Sequence, residues 1–151
     1  MQPLNKTPQP PARLNEQLEQ YWRALKGDRA LPREDEVDPD QLKEIWDSCF
    51  LVQLRADDVF SYSYLGKSLI EAYGDDLTGN EISESLIYPH PPSLSQTFRA
   101  VTKSAQPVFD ESEFTNANNM LVKYRSCVVP LGAYNVTGVG FLLGGMKWKI
   151  Y

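Results

Sequence analysis

The sequence predicts an α+β fold: a five-stranded antiparallel sheet covered on one face by short helices, with an amphipathic helix ahead of it. Three observations carry this. Leu14, Leu18, Tyr21, Trp22 and Leu25 recur at spacings of three and four, which lays one apolar stripe along a helix ending near Gly27. Two strand-like runs between Phe50 and Leu65 meet at the turn residues Asp57-Asp58. Three more such runs close the chain, parted by turn-forming Asn116-Ala117-Asn118-Asn119 and Gly132-Ala133-Tyr134-Asn135.

The elements follow in order. Met1 to Ala12 holds four prolines among polar residues, so residues 1–12 are expected to be a disordered tail. The helix from Arg13 needs a surface for its stripe. The body of its own domain would serve, and so would the same helix of a second copy, because the spacing also fits a short coiled-coil seam. Leu14, Leu18, Tyr21, Trp22 and Leu25 are therefore both core and dimer-interface candidates.

Asp38-Pro39 is an N-cap followed by a proline at the first helical position, and predicts a short helix through Leu42, Ile45 and Trp46 that ends near Cys49. These N-terminal helices, residues 13–48, precede a core of residues 49–151. Phe50 to Arg55 reads as the first strand and Val59 to Leu65 as the second. In the second, Phe60, Tyr62 and Tyr64 alternate with Ser61 and Ser63, which predicts an inward aromatic face.

Glycines at 66, 74 and 79 punctuate a middle of short helices, with one or two turns over Ser68–Tyr73. Ser93 with Gln96 is a possible capping box for a helix that presents Leu94, Phe98 and Val101 and closes before Pro107. Strands are expected over Val108–Phe114, Met120–Pro130 and Val136–Trp148, forming an antiparallel meander.

Length and composition set outer bounds. A chain of 151 residues, 42% hydrophobic and 23% charged, is sized for one domain with a core of its own. A net charge of −5 repels phosphate backbones, so nucleic acid is not an expected partner. Apolar runs such as Phe141-Leu142-Leu143 are far too short to span a membrane. The N-terminus lacks the apolar stretch of a secretory signal, which points to the cytoplasm. Cys49 and Cys127 show no metal or redox spacing and read as two buried thiols.

Strand, strand, helical middle and three-stranded meander is also the order of a PAS domain. The sequence resembles a family of single PAS-domain proteins common in alphaproteobacteria. The residues that carry the resemblance are Tyr21-Trp22 with Leu25, Leu31-Pro32-Arg33, Asp38-Pro39, Phe50-Leu51, Phe60 to Gly66, Gly74-Asp75-Asp76-Leu77-Thr78-Gly79 and Pro130-Leu131. A strand ending in Gly66, followed at a fixed interval by the 74–79 segment, is the most specific part. Ser63 stands where the family usually has arginine, and Lys67 where it usually has threonine. The resemblance implies a curved sheet with a small-molecule-sized space between it and the helical middle.

Phe60, Tyr62, Tyr64, Tyr73, Phe98 and Tyr124 are the ligand-pocket candidates, since aromatic walls with a few hydroxyls suit a planar or amphipathic molecule; the same residues could equally fill the core. The cofactor stays unnamed. A flavin-adduct photoreceptor needs a cysteine in an Asn-Cys-Arg motif, which neither cysteine has. Haem would need the single histidine, His90, which is flanked by Pro89, Pro91 and Pro92 and reads as an exposed loop residue. Gly138-Val139-Gly140 lacks the spacing of a phosphate-binding turn. Glu111 and Glu113 should share an outer face with Phe109, leaving Asp110 and Phe114 on the other, and Lys123 and Arg125 should project away from Tyr124.

The expected function is a sensory or signalling module, not an enzyme, that binds a small ligand, a partner protein or both. After Trp148 only three residues follow, so output is expected to pass through a partner or a homodimer. Two alternatives stand beside it. One is a small steroid-isomerase-like enzyme, with Asp110 facing Tyr62 as its acid. The other is a structural adaptor whose core is filled by side chains.

Overall fold

A computed structural model describes residues 13–56, 59–82 and 92–151. The expected tail, the Asp57-Asp58 turn and His90 lie outside the described residues. Helix α1 (Leu14–Lys26) comes first, followed by three short 3-10 turns at Glu34–Glu36, Pro39–Leu42 and Trp46–Ser48. Strands β1 (Cys49–Ala56) and β2 (Val59–Leu65) precede α2 (Lys67–Tyr73), β3 (Glu81–Ile82) and α3 (Pro92–Ser104). Strands β4 (Val108–Thr115), β5 (Leu121–Leu131) and β6 (Phe141–Ile150) complete the chain.

All six strands join one antiparallel sheet in the order β3-β2-β1-β6-β5-β4. The hairpin and the final meander thus meet at β1–β6, where Cys49 pairs with Gly145 and Gln53 with Phe141. The sheet has six strands, not five, because Glu81–Ile82 adds a two-residue edge to β2. So short a pairing leaves no alternation in the sequence to read.

The sheet is packed on both faces. On the inner face α2 and α3 cover Phe50, Val52, Phe60, Tyr62, Leu142 and Met146. On the outer face α1 and the 3-10 turns cover Cys49, Cys127, Val129, Leu131 and Leu143. Leu18, Tyr21 and Trp22 of the α1 stripe pack on the chain's own sheet, while Leu14 and Leu25 are half-buried. Leu18 and Trp22 are fully buried there, and the Trp22 indole Nε1 donates to the Pro130 carbonyl at 2.7 Å. Tyr21 accepts at its hydroxyl from the Asp38 backbone N–H at 2.8 Å, which ties the following segment to the helix. Gly145 makes room for the first turn: a Cβ there would lie 3.4 Å from both methyls of Leu14.

Three local expectations are revised. Asp38 does cap the next segment, accepting from the Asp40 N–H at 3.0 Å, but the chain then makes separate 3-10 turns where one helix was expected. Ile45, with φ −122° and ψ −2°, breaks the run so that Leu42 and Trp46 can both reach the outer core. In α3 the first residue is Pro92, and Ser93 lies inside the first turn, donating its hydroxyl to Asp110 at 2.7 Å. Strand β6 begins at Phe141, since residues 132–140, including Gly138-Val139-Gly140, form a loop between β5 and β6.

The 116–119 turn does more than reverse the chain. Asn116 is buried, and its carboxamide oxygen accepts from the N–H groups of Asn118 and Met120 at 2.9 Å each. Its Nδ2 donates to the Ala72 carbonyl at 3.0 Å, and the Ala117 N–H donates to Tyr73 O at 2.9 Å. These bonds satisfy carbonyls at the C-terminus of α2, where Gly74 takes the left-handed conformation that ends the helix (φ +78°). The hairpin turn therefore caps the helix across the core.

Candidate functional site

Five of the six aromatic candidates converge on the inner face. Phe60 and Phe98 lie 5.4 Å apart between ring centroids, Tyr62 and Phe98 6.3 Å, and Tyr62 and Tyr73 6.2 Å. Phe114 bridges onward, 5.7 Å from Tyr73 and 6.0 Å from Tyr124. Phe50 joins Tyr62 edge-on at 5.6 Å. The rings pack against each other at edge-to-face and tilted angles, as they do in a filled core.

Tyr64 is the exception, and a β-bulge is the reason. Leu51 pairs with Tyr64 but Val52 pairs with Tyr62, so Ser63 is an extra residue on β2. Beyond it the alternation reverses. Leu65 joins the inner core, while Tyr64 turns outward, stacks on Trp46 at 4.4 Å and 10° between planes, and donates to the Trp46 carbonyl at 2.9 Å. Tyr64 belongs with α1 and the outer cluster.

The hydroxyls of Tyr62 and Tyr73 lie 2.7 Å apart, one donating to the other, in a fully buried setting. Burial pushes both well above the ordinary phenol range; Tyr73 adds to the rise at Tyr62, while the shared bond moderates it at Tyr73. Burial also raises Tyr124, with the Asp110 carboxylate adding to it. These phenols stay neutral at physiological pH. They can donate or accept hydrogen bonds but do not supply a base.

Asp110 faces inward as alternation requires, while Phe109, Glu111 and Glu113 are exposed on the opposite side. Its partners are Ser93 at 2.7 Å and Tyr124 at 3.3 Å. The Asp110 carboxylate is thus engaged by Ser93 and Tyr124, while the Tyr62 hydroxyl bonds to Tyr73.

Sequence reasoning missed two polar residues of the inner face and one of the hairpin. Ser126, paired across the sheet with Asp110 and Met146, is fully buried, and its Oγ has no hydrogen-bond partner among the described residues. The Trp148 indole donates to Ser68 Oγ at 2.9 Å, which ties the end of β6 to α2. Asn116 is the third. A serine amid β residues gives no sequence signal, but an asparagine opening a turn does, through its power to bond its own backbone.

The two thiols sit on the outer face. Cys49 and Cys127 both pair with Gly145, on either side of β6, beneath α1. Burial pushes each up to about 12, so neither is a thiolate at neutral pH. Among the described residues no cluster of three or more His, Cys, Asp or Glu is placed to hold a metal ion. No helix among them is long and apolar enough to cross a membrane.

Comparison with known proteins decides the family. A family model described as PAS domain matches residues 11–145. The chain is a member of the PAS domain family. No curated protein matches it in sequence. Among solved structures, this PAS domain is similar to a light-oxygen-voltage (LOV) domain studied with a flavin analogue, at 11% identity and a TM-score of 0.54 over 72% of this chain and 80% of that one. The LOV domain of a blue-light activated histidine kinase from Erythrobacter litoralis superposes with a TM-score of 0.52 and 11% identity, covering 69% and 96% of the two chains. The Rhodobacter sphaeroides LOV protein gives 0.52 and 12%, over 74% and 68%. At these identities the likeness is one of fold.

Proposed function

We propose that this PAS domain is a cytoplasmic, non-enzymatic sensory module of the alphaproteobacterial single-domain kind that its sequence resembles, acting through contacts with another protein. The observation that supports this reading is the two-sided packing of one sheet. The inner face holds an aromatic core with a neutral Tyr62–Tyr73 hydroxyl pair at its centre. The outer face carries α1, anchored through Trp22. A small planar or amphipathic molecule held among the inner rings would act on strands whose other side is in contact with α1. The partner is then engaged by the exposed surfaces of α1 or of the sheet.

Native mass spectrometry of the protein purified from its own host tests this. The expected result is a mass excess that is released on denaturation and belongs to one small molecule. A bare chain, whose thermal midpoint is unmoved by any compound of a planar-heterocycle library, would remove the ligand half of the reading. The same spectra report self-association as integer multiples of the chain mass.

A further inference from the structure

The outer face of the sheet is covered by α1 at one end only. At the other end three strands run on together, with Glu111 opposite Arg125 and Arg125 opposite Lys147, and two residues along, Glu113 opposite Lys123 and Lys123 opposite Lys149. The intervening rung, Ser112, Tyr124 and Trp148, turns its side chains to the other face; only its backbone is presented outward. The result is a trough across the sheet of about 540 Å³, walled by the two charged rungs, floored by backbone and closed by Tyr151.

The walls place like charges where a sheet penalises them. Residues directly opposite have Cβ atoms about 5 Å apart, and like charges there repel. Arg125 faces Lys147 and Lys123 faces Lys149 in this way. Arg125 has partial relief from Glu111 at 3.3 Å, and the Lys123 ammonium lies 4.5 Å from the centroid of the Tyr151 ring. Among the described residues Lys147 and Lys149 have no ion pair. Four cations and two carboxylates line a single trough in a chain whose total charge is −5. The Cβ atoms of the four basic residues stand at the corners of a rectangle about 5 Å by 7 Å.

We propose that this trough is a binding site for a small oligoanion, with two or more phosphoryl or carboxylate groups set within about 7 Å of one another, the spacing of the two charged rungs. Such an anion sits between the two opposed cation pairs, offsets their repulsion, and receives N–H donors from Arg125 and the three lysines. Tyr151 offers a ring face at the rim for an attached planar group. The site lies on the opposite face from the aromatic core and does not depend on what that core binds.

The test is an ¹⁵N chemical-shift titration of the full chain with sodium tripolyphosphate, and separately with sodium citrate. The expected result is a saturable shift confined to the amides of residues 111–113, 123–125 and 147–151. Lys147→Glu with Lys149→Glu should weaken it about tenfold, the sum of two exposed charge contacts. Lys103→Glu, on α3, should leave it unchanged. Saturation by tripolyphosphate alone assigns phosphoryl groups, by citrate alone carboxylates, and by both a site that reads charge and spacing. Shifts that never saturate and spread to Arg23, Lys26 and Arg29 overturn the proposal. So does a double variant that titrates like the parent. Should that variant fail to fold, Lys149→Gln alone carries the comparison.

Discussion

Gly144 lies directly beneath the ring of Phe50. The two are cross-strand partners on β6 and β1, and a Cβ built on Gly144 would fall 2.2 Å from Phe50 Cζ. The ring is hemmed in by Tyr62 and Phe98, each 5.6 Å away. Gly144→Ala must therefore displace a buried ring, and is expected to cost about 1–3 kcal/mol. Urea unfolding monitored by far-ultraviolet dichroism reads this. A loss below about 0.5 kcal/mol would mean that the ring has room to yield.

The docking of α1 is tested through the thiols it covers. Cys49 and Cys127 are fully buried beneath the helix and pushed up to about 12, so they should react slowly with a disulfide reagent at pH 8. Trp22→Ala removes both a large, fully buried side chain and the bond to Pro130, and should expose both thiols to rapid labelling while the inner core stays folded. Trp22→Phe keeps the packing and loses the donor, at a cost of about 1–2 kcal/mol. If labelling of Trp22→Ala remains as slow as in the parent, α1 is not what shields them.

Asn116→Ala deletes two acceptor bonds within the turn and one donor bond to Ala72. The expected loss is about 2–3 kcal/mol, since it leaves the buried α2 carbonyl without its side-chain donor. Hydrogen exchange at the amides of 69–74 should quicken together with those of the turn. Acceleration at the turn alone would show that the cap does not hold the helix.

Alkaline pH should unfold the protein in a defined window. A thiol ordinarily titrates near 9.0 and a phenol near 10.0, whereas Cys49, Cys127 and Tyr64 are each pushed up to about 12 in the fold. Above pH 9 the unfolded chain gives up protons that the folded chain retains, so stability is full below pH 9 and falls as pH rises toward 12. The urea midpoint between pH 7 and 11 measures it, and a midpoint level up to pH 11 refutes the expectation.

Much of the architecture could be read from periodicity. The stripe of α1, the hairpin, the α3 face at Leu94, Phe98 and Val101, and the meander all follow from spacing, because each buries one regular face. The failures share a physical origin. Alternation puts Tyr64 beside Tyr62, and one extra residue at Ser63 sends it to the other side of the sheet. The segment after Asp38 carries a good start signal yet breaks into 3-10 turns, since Leu42 and Trp46 must meet a surface already shaped by the strands. Candidate pocket residues were recognisable as aromatic, but whether rings meet each other or a guest is a property of packing that spacing does not encode.

The seat of Leu14 over Gly145 has a further consequence. What aligns the helix on the sheet at that point is a missing side chain, a notch between the rows of Cys49 and Cys127, into which one leucine drops. Sliding α1 by a single residue would lift that leucine onto filled ground. The helix is thus indexed to its strands like a pin in a hole, and Gly145→Val would blunt the hole without touching anything in the aromatic layer on the far side.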